Sequence, residues 1–176
     1  PPGSDGLMVL PYWTGALTPF WDHYARGAMI GLTGAHGKSH MYRALLESIA
    51  FEQRFLTEGA ESALSTPVTE LIALGGGSRS KVWCQILADV MQRAVDVVAE
   101  PESTCLGAGM LASVAAGLHS DIRTAAKEMS STGAHFEPDP KRVGIYDELF
   151  GVYRKIYPSL RDIFPGLAQI SERATV

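Results

Sequence analysis

The segment 71-LIALGGGSRSKVWCQILADV-90 restricts the fold of this chain more than any other part of it. Its first four residues are apolar, which is typical of a short buried strand. Three adjacent glycines follow, Gly75, Gly76 and Gly77. Apolar residues then recur three and four positions apart and predict an amphipathic helix: Val82, Trp83, Ile86, Leu87, Val90 and Met91. The segment therefore predicts a strand, a glycine turn and a helix, with Trp83 buried against the strands.

Two elements are predicted ahead of this segment. Residues 27–33 suit a short strand, whereas residues 1–26 are predicted to be loops that contain a short apolar run. Apolar residues at near-helical spacing predict a helix over residues 40–58. Ser39 is a suitable N-cap for this helix and Gly59 a suitable C-cap.

The remaining elements follow the same patterns. A strand is predicted over 94–100, a turn over 101–107 and a small-residue helix over 107–117. A short helix capped by Asp121 then runs to Met129, and a loop covers 130–140. The last predicted element is an amphipathic helix around Tyr146–Tyr157, which Pro158 ends or kinks. The order strand–helix–strand–helix predicts an α/β layer structure with some parallel strands.

Composition excludes several classes of function. The chain is 46% hydrophobic with a net charge of −4, so it can build a core and has no basic footprint for nucleic acid. The only cysteines, Cys84 and Cys105, favour a reducing compartment over a disulfide scaffold. The apolar run 106–118 is too short to span a bilayer, and no signal peptide opens the chain. We therefore expect a cytoplasmic protein without membrane or nucleic-acid partners.

Two phosphate-binding motifs are incomplete. The tripeptide 37-GKS-39 ends a Walker A pattern, but Leu32 stands where the first glycine is required. This favours a helix-capping turn. A dinucleotide fingerprint built on Gly75 and Gly77 would need glycine where Ser80 stands. Neither motif is complete enough to identify a ligand.

The glycine turn still has the physical properties of a ligand site. Glycines after a strand let a ligand approach the backbone, because no Cβ stands in the way. The helix that follows offers unpaired N–H groups at its start. Ser78 or Ser80 can cap that helix or hydrogen-bond a ligand. A tight turn without any ligand explains the same residues equally well, and spacing does not decide between the two.

Other polar residues give weaker signals. His36 and His40 are four positions apart, but no glutamate completes a zinc motif, so no metal site is predicted. Asp89 is expected on the exposed face of its helix. Asp96 alternates with valines, as on a strand with one polar face.

Four segments together resemble one family. They are 11-PYWTGALTPFWDHYARGAMIGLT-33, 40-HMYRALLESIAFEQR-54, 74-LGGGSRSKVWCQILADV-90 and 100-EPESTCLGAGMLASVAAG-117. In this order, over residues 7–160, they are similar to the C-terminal domain of the FGGY carbohydrate kinases, and the xylulose kinase members look the most similar. The resemblance implies an α/β fold, part of an actin-like ATPase (ribonuclease H-like) C-terminal lobe.

The resemblance also implies a function. Residues 1–176 would be the C-terminal, nucleotide-binding portion of a kinase that uses ATP and Mg²⁺ to phosphorylate a ketose or polyol, with a xylulose-like sugar favoured. The matching nucleotide contacts are Gly75, Gly76, Gly77 and Ser80. The catalytic aspartate and the sugar-binding domain of such kinases would lie upstream, so this chain should carry no catalytic residue and be inactive alone. A homodimer is a candidate assembly.

Two other classes stay open at this point. A non-catalytic binding module could keep the actin-like fold without the reaction. A dinucleotide-dependent oxidoreductase domain is disfavoured by the serine at position 80 and by the lack of a well-placed acidic residue after 94-AVDVV-98.

Overall fold

The structure, a computed structural model, describes residues 1–100 and 102–174. Residues 101, 175 and 176 therefore lie outside it. The elements in chain order are β1 (Met8–Leu10), β2 (Ala28–Ile30), α1 (Lys38–Leu64), β3 (Leu71–Ala73), α2 (Lys81–Met91), β4 (Val95–Val98), α3 (Ser103–Ala115), α4 (Ile122–Met129), β5 (Thr132–Phe136), α5 (Pro140–Leu160) and α6 (Phe164–Ala174).

A three-stranded sheet carries the segment that constrains the fold. Its order is β3-β4-β5, with β3 parallel and β5 antiparallel to β4. The predicted strands around residues 71–74 and 94–100 are therefore confirmed. The loop predicted over 130–140 is wrong, because β5 lies within it. The residues of β5 are mostly exposed and include Gly133, so its strand conformation depends on pairing with β4 rather than on its own pattern.

A second pair of strands lies near the start of the chain. Strands β1 and β2 are antiparallel, with Val9 opposite Met29. The strand predicted within residues 27–33 is confirmed. The loop predicted over residues 1–26 is wrong at β1, whose three residues are all buried. A run of only three residues gives no periodicity from which a strand could be recognised.

Helix α1 is longer than its sequence pattern indicates. It begins at Lys38 with Gly37 as N-cap, so Ser39 lies in the first turn and does not cap the helix. The backbone N–H of Gly37 instead donates to His40 Nδ1 at 3.0 Å. The helix also continues past Gly59 to Leu64, and its C-cap Ser65 adopts a left-handed conformation with φ of 50°. Both predicted caps were therefore wrong.

Helix α2 is buried on more than the one face predicted. It packs against α1 and against α5, and Ile86 and Val90 enter the main core. Val82, expected in the buried stripe, is exposed, and Trp83 is only half-buried. Asp89, expected to be solvated, is completely buried. A one-sided helix was assumed, whereas α2 has neighbours on two sides.

Helices α3 and α4 pack against each other. The small-residue helix is confirmed, but it begins at Ser103, so the turn predicted over 101–107 is wrong from that residue onward; Pro101 lies outside the described residues. The cap predicted at Asp121 is confirmed, since its carboxylate accepts a hydrogen bond from the Thr124 N–H at 2.9 Å. Among the described residues of α3, Ser113 is the only buried one, and the others are exposed or half-buried.

Helix α5 is fastened to the first half of the chain by three tyrosines. The hydroxyls of Tyr146, Tyr153 and Tyr157 donate to carboxylates that lie about 100 or more positions earlier. Their acceptors are Glu47, Glu52 and Asp22. Pro158 lies inside the helix, which continues to Leu160.

Candidate nucleotide site

The glycine turn lies at the carboxyl end of two parallel strands. Leu71, Ile72 and Ala73 of β3 lie beside Val95, Asp96 and Val97 of β4. Because the strands are parallel, the loops that follow them emerge at the same edge of the sheet. In open α/β sheets this edge is where ligands bind.

Gly75 has a backbone that other residues do not adopt. Its φ of 80° and ψ of −170° lie in a region that is populated essentially by glycine alone. The next four residues, Gly76–Arg79, form a single 3₁₀ turn. The hydroxyl of Ser78 donates to the Gly75 carbonyl at 2.7 Å, and the Ser80 N–H donates to the Gly77 carbonyl at 3.1 Å. The turn is therefore held by its own hydrogen bonds.

The three glycines have different surroundings. A Cβ built on Gly75 or on Gly76 would meet no atom within 4 Å. A Cβ on Gly77 would lie 3.3 Å from Nε1 of Trp83. Gly75 and Gly76 therefore leave open space in front of the turn, whereas Gly77 allows the indole ring to approach the backbone.

Ser80 connects the turn to α2. It is the N-cap of the helix, and its Oγ accepts a hydrogen bond from the Trp83 N–H at 3.3 Å. Within residues 1–100 and 102–174, its hydroxyl proton donates to no acceptor. Ser80 can therefore cap the helix and donate to a ligand at the same time.

The second loop at this edge runs from β4 to α3. Glu102 is the N-cap residue of α3, and its own N–H donates to the Glu100 carboxylate at 3.0 Å. Arg79, at the end of the glycine turn, lies 2.9 Å from the Glu102 carboxylate. The sequence gave no sign of this pairing, because 23 positions separate the two residues.

A cleft of about 330 Å³ lies on one side of the turn, between α1 and α2. Gly77, Ser78 and Trp83 line it together with apolar residues of β3 and α2. Gly75, Gly76 and Ser80 do not line it. The four predicted site residues thus lie in one turn but do not share one cavity.

His36 and His40 lie close together near the start of α1. The Nε2 atom of His40 lies 3.1 Å from the Asp5 carboxylate, and the rings of His36 and His40 have centroids 5.4 Å apart. Among the described residues, no group of three or more His, Cys, Asp or Glu side chains could hold a metal ion. Within residues 1–100 and 102–174, no helix combines the length and the apolar composition that a membrane crossing requires.

This geometry defines the class of protein. It is a mixed α/β lobe of the actin-like ATPase type, represented in part. The chain matches the sequence profile described as "FGGY family of carbohydrate kinases, C-terminal domain" over residues 2–116. The chain therefore belongs to the FGGY family of carbohydrate kinases, and the oxidoreductase alternative loses its support.

Individual relatives have different names. The chain is 37% identical over 134 residues to a gluconokinase of Bacillus subtilis, covering 76% of this chain and 26% of that protein. It is 32% identical over 150 residues to a xylulose kinase of the same organism, covering 85% and 30% respectively. A glycerol kinase of Limosilactobacillus reuteri is 35% identical over 142 residues, covering 80% and 28%. The chain thus spans less than a third of the length of these relatives.

Solved structures agree with this assignment. The crystal structure of a xylulose kinase from Rhodospirillum rubrum matches with a TM-score of 0.78 and 34% identity, over 93% of this chain and 32% of that one. A xylulose kinase from Brucella ovis matches with a TM-score of 0.80 and 31% identity, over 92% and 33%. The predicted family and fold class are confirmed.

Proposed function

We propose that residues 1–176 are the C-terminal, nucleotide-contacting portion of an ATP-dependent carbohydrate kinase. The whole protein would transfer the γ-phosphoryl group of ATP to a hydroxyl of a ketose or polyol in the cytoplasm. Gly75, Gly76, Gly77 and Ser80 would form the wall against the adenosine. The sugar-binding domain and the catalytic aspartate would lie outside this chain, so the isolated chain is expected to be inactive.

One observation carries the proposal. Gly75 and Gly76 face open space at the carboxyl edge of two parallel strands, and the backbone of Gly75 permits only glycine. A turn that served the fold alone would need glycine at Gly75 but not at Gly76, where φ is not positive and no atom is near. A ligand that lies against the backbone explains both positions.

The residues of this chain would bind and orient the nucleotide. Gly75 and Gly76 admit the adenosine, and the Ser80 hydroxyl donates a hydrogen bond to it. Phosphoryl transfer depends mostly on positioning and on electrostatic stabilisation of the transferred group. Mg²⁺ would be held mainly by the phosphates of the nucleotide and would neutralise the charge that develops on them.

The acceptor is proposed to be xylulose-like. Both solved structures described above are xylulose kinases, while the relatives include a gluconokinase and a glycerol kinase. The full-length protein should therefore be assayed with xylulose, gluconate and glycerol. Nucleotide binding without turnover on any sugar would favour the non-catalytic binding module instead.

The proposal is tested by placing a side chain in front of the turn. In the full-length protein, Gly76→Val should raise the KM for ATP far more than the KM for the sugar. Gly59→Val is the matched control, because a Cβ on Gly59 also meets no atom within 4 Å but lies on α1, away from the turn. Equal ATP affinity in both folded variants would show that the turn is only structural.

A further inference from the structure

The ion pair between Arg79 and Glu102 joins the two loops at the carboxyl edge of the sheet. Arg79 Nη2 lies 2.9 Å from Glu102 Oε1. Arg79 ends the glycine turn, and Glu102 is the N-cap residue of α3. A ligand at this edge would lie between these two loops. The pair therefore stands beside the proposed nucleotide position.

The pair is not needed to hold either loop. Arg79 is 62% exposed and Glu102 is 68% exposed, so their attraction contributes little to the stability of the fold. The glycine turn is closed by the hydrogen bond from Ser78 to the Gly75 carbonyl. The other loop is ordered by the hydrogen bond from the Glu102 N–H to Glu100.

The charges at this edge give the pair a different role. Glu100 and Glu102 place two carboxylates in the loop that faces the glycine turn. The phosphates of a nucleotide are also negative, and like charges at short range weaken binding. Arg79 is the cation in contact with Glu102, so it offsets this repulsion.

We infer that Arg79 is a positioning residue that neutralises the Glu102 carboxylate beside the glycine turn, so that this carboxylate does not repel the phosphates of a nucleotide bound there. The inference rests on the proposed function. It assigns Arg79 an effect through Glu102 and not a contact of its own with the phosphates. The role should therefore depend on whether Glu102 is charged and on whether the ligand carries phosphate.

A double-mutant cycle of Arg79 and Glu102 in the full-length protein tests the inference. Calorimetric titration with ATP should show binding about three- to tenfold weaker in Arg79→Met than in the parent. Glu102→Gln alone should bind ATP at least as well as the parent. The double variant should return to within about twofold of the parent, because the unneutralised carboxylate is gone. Adenosine, which has no phosphate, should bind all four proteins equally.

Arg161→Met is the matched control. Arg161 is also 62% exposed and pairs with the neighbouring Asp162 at 3.5 Å, away from this edge. ATP affinity should not change in this variant. The weakening in Arg79→Met should shrink at high ionic strength, since exposed charges are screened.

The other outcomes overturn the inference. Unchanged ATP affinity in Arg79→Met would show that the pair has no role. A loss that Glu102→Gln does not rescue would mean that Arg79 itself contacts the phosphates. An equal loss for adenosine would indicate a general structural effect. Binding of ATP and of adenosine to the parent protein is measured before any variant is made. A parent protein that binds neither would overturn the proposed function as well as this inference.

Discussion

The carboxylate of Asp89 is completely buried, and its Oδ2 lies 3.2 Å from Nη1 of Arg142. Its Oδ1 accepts hydrogen bonds from the Gln85 side chain at 2.8 Å and from the Asp139 N–H at 2.9 Å. These contacts tie α2 to the start of α5. A buried charge is tolerated here because each oxygen has a donor.

Asp89→Ala should therefore destabilise the protein strongly. The change leaves the Asp139 N–H without its acceptor and leaves the Gln85 amide with only the Glu137 carbonyl. The expected loss is about 2–4 kcal/mol. Urea unfolding measures it. Asp162→Ala, at a carboxylate that is 93% exposed, is the control and should change stability by less than about 0.5 kcal/mol. Similar values for both variants would contradict the buried network.

Glu52 predicts a pH dependence of stability. Its Oε1 accepts hydrogen bonds from Tyr12 and Tyr153. Burial raises the pKa of Glu52 above its ordinary value of 4.5, and the two hydrogen bonds offset only part of that rise. A raised pKa in the folded state means that stability present at low pH is lost as the pH rises through that pKa.

Glu52→Gln removes this titration and keeps a carbonyl oxygen that can accept from both tyrosines. The melting temperature of the variant relative to the parent should therefore rise between about pH 4 and about pH 7. The comparison needs melting curves of both proteins across this range. A constant difference at every pH would show that Glu52 does not titrate differently in the folded state.

Trp83 predicts an intermediate loss of stability. A completely buried tryptophan would cost roughly 3–5 kcal/mol on truncation to alanine, but Trp83 is half-buried beside a cleft, so about 1–3 kcal/mol is expected. Trp21, which is 72% exposed, supplies the control. Equal melting temperatures for Trp83→Ala and Trp21→Ala would contradict the packing of Trp83 against Gly77. A loss of roughly 3–5 kcal/mol would mean that another part of the full-length protein fills the cleft and buries Trp83 completely.

Ser80 allows its two roles to be separated. Ser80→Ala removes the cap of α2, at a cost of about 1 kcal/mol of stability, and also removes the proposed ligand donor, at about 0.5–1.5 kcal/mol of binding. Ser80→Asn keeps both a cap acceptor and a donor. Stability and adenosine affinity should both fall in the first variant and both be largely kept in the second. A fall in stability alone in Ser80→Ala would limit Ser80 to capping.

Local patterns were sufficient to predict the central part of the fold. The apolar run at β3, the glycines and the stripe on α2 are contiguous, and each signals its own conformation. What was missed depends on distant partners. Strand β5 depends on pairing with β4, and the part of α1 beyond Gly59 includes Glu61, which pairs with Arg93 at 2.9 Å. Neither contact can be recognised from the residues that adjoin it in the sequence.

The candidate site likewise has one feature that local sequence predicts and others that depend on distant residues. The turn itself was predictable, because glycine is required by the backbone at Gly75. The pairing of Arg79 with Glu102 was not, since it depends on how β3 and β4 align. The burial of Asp89 on α2 was not predictable either, because it depends on where the start of α5 packs.

The tyrosines of α5 have a consequence for how the chain acquires its structure during synthesis. Glu47 and Glu52 are made before α5, and the tyrosine hydroxyls of α5 that donate to them lie 99 and 101 positions later. During synthesis, the ribosome therefore releases these carboxylates before their tyrosine partners in α5 exist. The lobe therefore completes its folding late, when α5 emerges. A stop codon within α5 would remove the tyrosine donor from Glu47 or Glu52, so its effect would reach residues about 100 positions earlier.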